Sequence, residues 1–358
     1  MRKENVYNCF WERRSSMKSA TIKDVAKLSG VSLATVSRVI NQKGCVSQEL
    51  QQKVQMAIER TGYRPNQAAR SLVQRRSGAI GVIVHNLHDP FFYDLIRGFE
   101  HAAAEISYNV LFASVLGGNT QSKVKYLQYL GGGVVDAIVM YGSYISDEEM
   151  LRCAAPSSSI DYLLIENDIR DFQCNKLLID NISGAYRSVE YLKGKGHGDI
   201  AHICGNPNKK VTIDRLNGYL SAMHDKGLEV QDGYLQHLSN DYRNGYVCMQ
   251  NLLALRNRPT AVFCSDDAIA SYAVRAALDA GLRVPEDISI MGFDFQVNLP
   301  ERYRGPDITT VKQPLFQIGF DSITLLARQL EKGDFNQPER KLYDTEIIEQ
   351  ETVCAPSR

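Results

Sequence analysis

The chain has 358 residues, 44% hydrophobic and 23% charged, an ordinary soluble composition with length for two or three domains. No apolar run approaches the roughly 18–20 residues that span a bilayer, the opening MRKENVYNCFWERRSSMKSA lacks the apolar core of a secretory signal, and eight cysteines without a CxxC pair suggest reduced thiols. These features argue against a membrane-spanning helix and a secretory signal and lead us to expect a cytoplasmic protein. The net charge of +0 hides an asymmetry: residues 17–76 carry eleven Lys/Arg against three Asp/Glu (+8), residues 1–16 four against two (+2), and the remainder 26 against 36 (−10). A basic head on an acidic body points to a polyanion partner at the head alone; the competing reading is chance clustering on a solvated face.

Residues 1–16 hold the only tryptophan, Trp11, and end just before Met17. We read them as a disordered extension or a start-site artefact, with the functional chain beginning at Met17. In TIKDVAKLSGVSLATVSRVIN, Ile22, Val25, Ala26 and Ser29 fall on one helical face. Gly30 suits a tight turn with positive φ, and Ser32 caps a second helix running to about Ile40, with Val36, Val39 and Ile40 inward. A third helix, SQELQQKVQMAIERTG, has Leu50, Val54, Ala57 and Ile58 as its stripe and ends at Gly62. This spacing predicts a helix-turn-helix over residues 17–64, its second helix made for the major groove. Leu33, Ala34, Thr35, Ser37 and Arg38 point outward on that helix. Arg38 suits a guanine edge, Leu33 and Ala34 thymine methyls, and Thr35 and Ser37 phosphates; the plain alternative is a three-helix bundle with a solvated Arg38.

Residues 65–78 form a linker. Pro65 stops the preceding structure, and Asn66 can start two helical turns reaching Leu72, too short to be stable alone in water. Arg70, Arg75 and Arg76 add charge, so this segment is expected to order on a polyanion. Leu72 suits wedging into a minor-groove base step.

Residues 79–358 alternate strands and helices. AIGVIV, NVLFAS, DAIVMYG, DYLLIEN, DIAHICG, TAVFCS and ISIMGFD read as buried strands, and Phe92, Leu95, Ile96, Phe99, Ala103 and Ile106 form a helix face. This predicts an α/β body of two doubly wound parallel sheets, with a ligand at the strand carboxyl ends, between two lobes.

At this point the chain resembles the LacI/GalR family of transcription regulators, through TIKDVAKLSGVSLATVSRVIN, YRPNQAARSL, VIVHNLHDPFFYDLIRGFEHAA, TIDRLNGY, CSDDAIASYAVRAALDAGLRVPEDISIMGFD and ITTVKQP. The resemblance runs from about Met17 to the C-terminus. It implies an N-terminal helix-turn-helix head and a two-lobed body like periplasmic sugar-binding proteins, with lobe one near 79–178 plus 310–340 and lobe two near 179–309 plus 341–358. It makes Leu33, Ala34 and Arg38 the base readers and Leu72 the hinge leucine that kinks the operator centre. Thr21, Ser32, Thr35, Ser37, Asn41, Asn66, Ala69 and Arg70 complete the DNA-facing set. For the effector it implies His88 and Asp89 after the first strand, Arg215 as a fork of donors for hydroxyls or a carboxylate, and Asp267 accepting from ligand hydroxyls. Phe92 and Phe293 are stacking faces or core residues. Asp266 is preferred as a helix N-cap. Where family members often carry an aromatic, this chain has Asn240, for which Tyr242 stands as a substitute.

Other chemistry is set aside. His85 and His88 of HNLHD lack a third spaced ligand for a metal, the adjacent Asp266 and Asp267 do not flank one bond as glycosidase carboxylates do, and LGGG (130–133) lacks a P-loop's Lys-Ser/Thr. The expectation is a homodimeric repressor of carbohydrate-utilisation genes, without cofactor. It binds a pseudo-palindromic double-stranded operator and is released by a small sugar-like effector. A corepressor reading, with a purine or a phosphorylated carrier protein, stands beside it; an enzyme acting on a sugar is the weak alternative.

Overall fold

The computed structural model describes residues 20–40, 44, 46–64, 76–106, 108–115, 119–142, 144–154, 160–170, 172–238, 241–296, 299 and 303–357. The chain divides into two units, Met1–Ser77 and Gly78–Arg358. Residues 1–16, and Asn41, Asn66, Ala69, Arg70 and Leu72 with the proposed hinge helix, lie outside the described residues.

The first unit contains α1 (Ile22–Ser29), α2 (Leu33–Ile40) and α3 (Gln48–Thr61). Thr21 starts α1: its backbone N–H and hydroxyl both donate to Asp24 Oδ2, at 2.8 and 2.7 Å. Gly30 closes it at φ 69°, its N–H donating to the Ala26 carbonyl, a left-handed position that a side chain would strain. Ser32 Oγ then accepts from the Thr35 N–H at 3.1 Å, as an N-cap does. Val25, Val36, Val54 and Ala57 form the buried centre, with Ile22, Ala26, Val31, Val39, Ile40, Ile58 and Tyr63 packed around it.

The second unit holds two parallel sheets. The first has six strands: β1 (Ala79–Val84), β2 (Asn109–Ser114), β3 (Ala137–Tyr141), β4 (Asp161–Ile165), β5 (Asn175–Ile179) and β11 (Arg340–Tyr343), in the order β11-β5-β4-β3-β1-β2. The second has β6 (Ile200–Cys204), β7 (Leu235–His237), β8 (Ala261–Cys264) and β9 (Ser289–Met291), in the order β7-β6-β8-β9. β10 (Thr310–Lys312) pairs antiparallel with β12 (Glu346–Ile348). Central strands such as β1, β3, β6 and β8 are buried along their whole length, as sheets covered by helices on both faces require.

Helices α4 (Tyr93–Ile106), α5 (Thr120–Tyr129), α6 (Ser146–Ala154) and α11 (Leu315–Lys332) accompany the first sheet. Helices α7 (Asn181–Gly194), α8 (Lys210–Asp225), α9 (Gly245–Leu253) and α10 (Asp267–Asp279) accompany the second. Two details correct the sequence reading. Phe92 lies in a separate 3₁₀ turn, Pro90–Phe92, before α4. The lobe boundaries also shift: β11, expected in lobe two, pairs with β5 of the first sheet, while β10 bridges towards the second lobe, Thr309 to Met291 and Lys312 to Asp294. The chain thus passes between lobes after β5, between β10 and α11, and after β11.

α4 and α11 cross at Gly98 and Gly319, where a Cβ on Gly98 would lie 2.1 Å from the Phe316 carbonyl oxygen, with backbone on the far side. Gly98→Ala is expected to destabilise the protein by roughly 1–3 kcal/mol, the usual scale of overpacking. Gly132→Ala, whose Cβ meets nothing within 4 Å, should leave the urea midpoint of the full chain unchanged.

Candidate functional sites: an exposed recognition helix and an interlobe cleft

On α2 the outward residues sit as the helical period demands. Leu33, Ala34, Arg38 and the cap residue Ser32 are exposed, and Thr35 and Ser37 are half-buried. Leu33 is 45% exposed although it is a large apolar residue beside a core of four buried positions. The Ser32 and Thr35 hydroxyls also bond each other at 2.9 Å, which fixes the first turn of the helix.

In the second unit the carboxyl ends of both sheets face one cleft of about 670 Å³. From lobe one come His85, Asn86, His88, Asp89, Phe91 and Phe92 after β1, and Tyr141 and Tyr144 after β3. From lobe two come Asn206 and Lys209 after β6, Thr212 and Arg215 on α8, Ser265 and Asp266 after β8, and Asp294 and Gln296 after β9. The lobes meet beside it: Tyr144 and Lys209 form an antiparallel bridge, and the Ile145 N–H donates to the Asn208 carbonyl at 3.0 Å.

Arg215 is the centre of this wall. It is 5% exposed. Nε donates to Asn181 Oδ1 at 2.8 Å, Nη1 to the Ser265 carbonyl at 2.5 Å, and Nη2 pairs with Asp294 Oδ1 at 2.9 Å. Its guanidinium carbon lies 3.7 Å from the centroid of the Phe293 ring, a cation–π contact. Asn181 passes the link to lobe one, Nδ2 donating to Glu166 Oε2 at 3.0 Å, while Glu166 Oε1 accepts from the Ile179 N–H at 2.9 Å. Burial raises the Glu166 carboxyl to about 7 against the opposing pull of Arg215, and burial likewise raises Asp294 to about 7.

His88, Asp89, Phe92, Arg215 and Tyr242 therefore gather in the cleft as the sequence reading expected. Asp267 and Phe293 do not line it. Asp267 is 2% exposed. It accepts from Thr310 Oγ1 at 2.6 Å and the Gln296 N–H at 2.8 Å, tying α10 to the strand-end loops. Asp266, for which the sequence reading prefers a cap over a ligand contact, does cap α10 by accepting from the Ile269 N–H at 2.8 Å, and it also faces the cleft. One residue further on, the first helical turn has already rotated the side chain inward. Phe293 is fully buried beneath Arg215.

His85, weighed in the sequence only as a metal ligand, lines the cleft with both ring nitrogens buried and without a partner. Burial first, then Lys123 and Lys209, lowers its pKa to about 3, so near neutral pH one nitrogen donates and the other accepts. Behind it Lys123 and Asp147 form a fully buried ion pair, and Asp147 Oδ2 accepts from the Tyr144 N–H at 3.3 Å. Neither residue carried a signal in the sequence, where a helical lysine reads as solvated.

A basic-helix head followed by a two-lobed cleft protein defines a ligand-responsive DNA-binding regulator. Residues 21–66 match the profile of bacterial regulatory proteins, lacI family, and residues 189–353 match the periplasmic binding protein-like domain. The chain belongs to the LacI family, whose members regulate transcription and are not enzymes. It is 33% identical over 339 residues to the HTH-type transcriptional regulator RegA of Clostridium saccharobutylicum, across 94% of this chain and 99% of that protein. It is 32% identical over 340 residues to the ribose operon repressor of Haemophilus influenzae, across 94% and 98%. A crystal structure of the lac repressor dimer bound to operator and the anti-inducer ONPF superposes with a TM-score of 0.82 at 24% identity, covering 94% of this chain and 100% of that one. Among the described residues no helix is long and apolar enough to cross a membrane.

The raised carboxyls set a pH dependence. A group whose folded-state value lies above its unfolded one, as Glu166 moves from 4.5 to about 7, binds its proton preferentially in the folded chain. Its stabilising contribution is full below the unfolded value and lost as pH rises through the folded one. The thermal midpoint should therefore fall between about pH 5 and about pH 8, and Glu166→Gln should flatten that fall in pH-resolved calorimetry. An unchanged slope would show that Glu166 does not titrate there.

Proposed function

We propose that this regulator is a cytoplasmic repressor of carbohydrate-utilisation genes, released from its operator by a small polyhydroxylated effector in the interlobe cleft. The observation that carries the effector class is the donor–acceptor character of the cleft wall. Neutral His85 offers one donor and one acceptor, Asp89 and Asp266 offer acceptors, Lys209 donors, and Asp294 is held by Arg215. Adjacent hydroxyls are both donors and acceptors and satisfy such a wall in both directions. The ribose operon repressor among the similar proteins agrees with this class.

Two heads of a homodimer would read the halves of a pseudo-palindromic operator, as two-fold symmetry requires. Leu33, Ala34 and Arg38 supply base contacts, Ser32, Thr35 and Ser37 with Thr21 and Asn41 position the helix on the backbone, and Asn66, Ala69, Arg70 and Leu72 serve the operator centre. Effector binding shifts the lobe angle and, through the hinge segments, weakens DNA binding by a coupling of roughly 1–3 kcal/mol.

Arg38→Ala should cost roughly 1–3 kcal/mol and relax specificity at one operator guanine in a binding-site selection; equal losses on all sequences would make Arg38 a phosphate contact. In the cleft, a saturating sugar at about 100 times its dissociation constant should add roughly 2.7 kcal/mol to stability. That appears as a raised melting midpoint of the full chain in a panel of sugars, sugar phosphates and purines, and Arg215→Ala should abolish it. The same sugar must lower operator affinity. A purine that raises both the midpoint and operator affinity would replace the inducer reading with the corepressor one.

A further inference from the structure

Behind the Arg215–Asp294 pair lies a second recess of about 310 Å³, on the stretch that leads from β10 into α11. Its apolar walls are Phe91, Tyr93, Phe295 and Leu315, and its polar groups include Lys312 and Gln313. Gln313 is 4% exposed. Its Nε2 donates to Asp294 Oδ1, the same oxygen that pairs with Arg215 Nη2. The other end of the amide, Oε1, is buried and accepts no hydrogen bond. Buried side-chain acceptors without a donor are uncommon and call for an explanation.

Three further features converge on the recess. The wall carboxylates Asp94 and Asp294 are paired with Arg97 and Arg215, whereas no carboxylate among the described residues pairs with Lys312, whose ammonium stands 5.4 Å from the Phe295 ring centroid. α11 starts here at Leu315 without a side-chain cap; the Leu315 N–H donates to the Gln313 carbonyl at 2.9 Å, and the positive end of the helix dipole lies beside the recess. Asp294 and Phe295 also sit at positive φ in succession, 110° and 56°. Such backbone strain in non-glycine residues clusters at ligand clamps, and here it accompanies Phe295 in the wall.

We propose that this recess is a second ligand site for a small organic acid. Its hydroxyl or amino group donates to Gln313 Oε1, its carboxylate meets Lys312 and the start of α11, and its apolar part lies against Tyr93 and Phe295. Because Gln313 holds Asp294 and Asp294 holds Arg215, an acid bound here alters the rigidity of the cleft wall. Its effect on the cleft ligand and the cleft ligand's effect on it must be equal, as linkage requires.

The test is calorimetric titration of the full chain with phenyllactate and with 3-phenylpropionate, which lacks only the hydroxyl. Phenyllactate is expected to bind, 3-phenylpropionate at least tenfold more weakly. Lys312→Ala, at an exposed position, should weaken phenyllactate about tenfold with an unchanged urea midpoint, and His88→Ala in the main cleft should leave it unaltered. No binding of phenyllactate, or equal binding of the two acids, overturns the proposal. So does phenyllactate binding that is lost in His88→Ala and kept in Lys312→Ala, since the acid then occupies the main cleft. The sugar-induced rise in melting midpoint is a separate readout, so failure here leaves the effector reading standing.

Discussion

One buried cation organises the effector unit. Arg215 loses its water shell, and a guanidinium tolerates that only when its donors are met and its charge is balanced. Asn181, Ser265 and Asp294 meet them from three separate stretches of chain, at the start of α7, the end of β8 and the loop after β9. Phe293 supplies the face below. The same asparagine reaches Glu166 at the end of β4, so the positions of both sheets' carboxyl ends depend on one side chain. Removing the arginine leaves Asp294 buried without its counter-ion, so its carboxyl is pushed further up and towards the protonated form.

The head was legible because its signals are local. The glycine at φ 69°, the Ser32 cap and the apolar spacing of Val25, Val36 and Val54 each act within a few residues. Once those are placed, the exposure of Leu33 and Arg38 follows from helical geometry. The strands were legible for a similar reason: fully buried parallel strands are short continuous apolar runs.

The cleft was legible only in part, because its roles are set by contacts between distant segments. Asp266 and Asp267 are neighbours in sequence, and spacing cannot say which one the first turn of α10 directs towards Thr310 and Gln296. His85 was passed over because its meaning is the absence of a partner, and Lys123 because its carboxylate lies on another helix. NKLLI, which became β5, went unread: it carries a lysine whose ammonium leaves the sheet to bond the Ile169 carbonyl. β11, exposed along three of its four residues, has no buried run to mark it, so the lobe boundary was drawn a strand too early.

The placement of β11 also bears on the order in which the protein is made. The second sheet is assembled from residues 200–291, a single uninterrupted stretch. The first begins at Ala79 yet lacks its outer strand until Tyr343 and the α11 packing surface until Lys332. As the chain leaves the ribosome, the lobe begun first is therefore still open after the second sheet has been made. Its face for α11, including Leu95, Phe99 and the bare backbone at Gly98, waits uncovered while the four strands of the second sheet are synthesised. A nascent chain of this design exposes apolar surface for most of its synthesis, the condition under which partly folded chains aggregate.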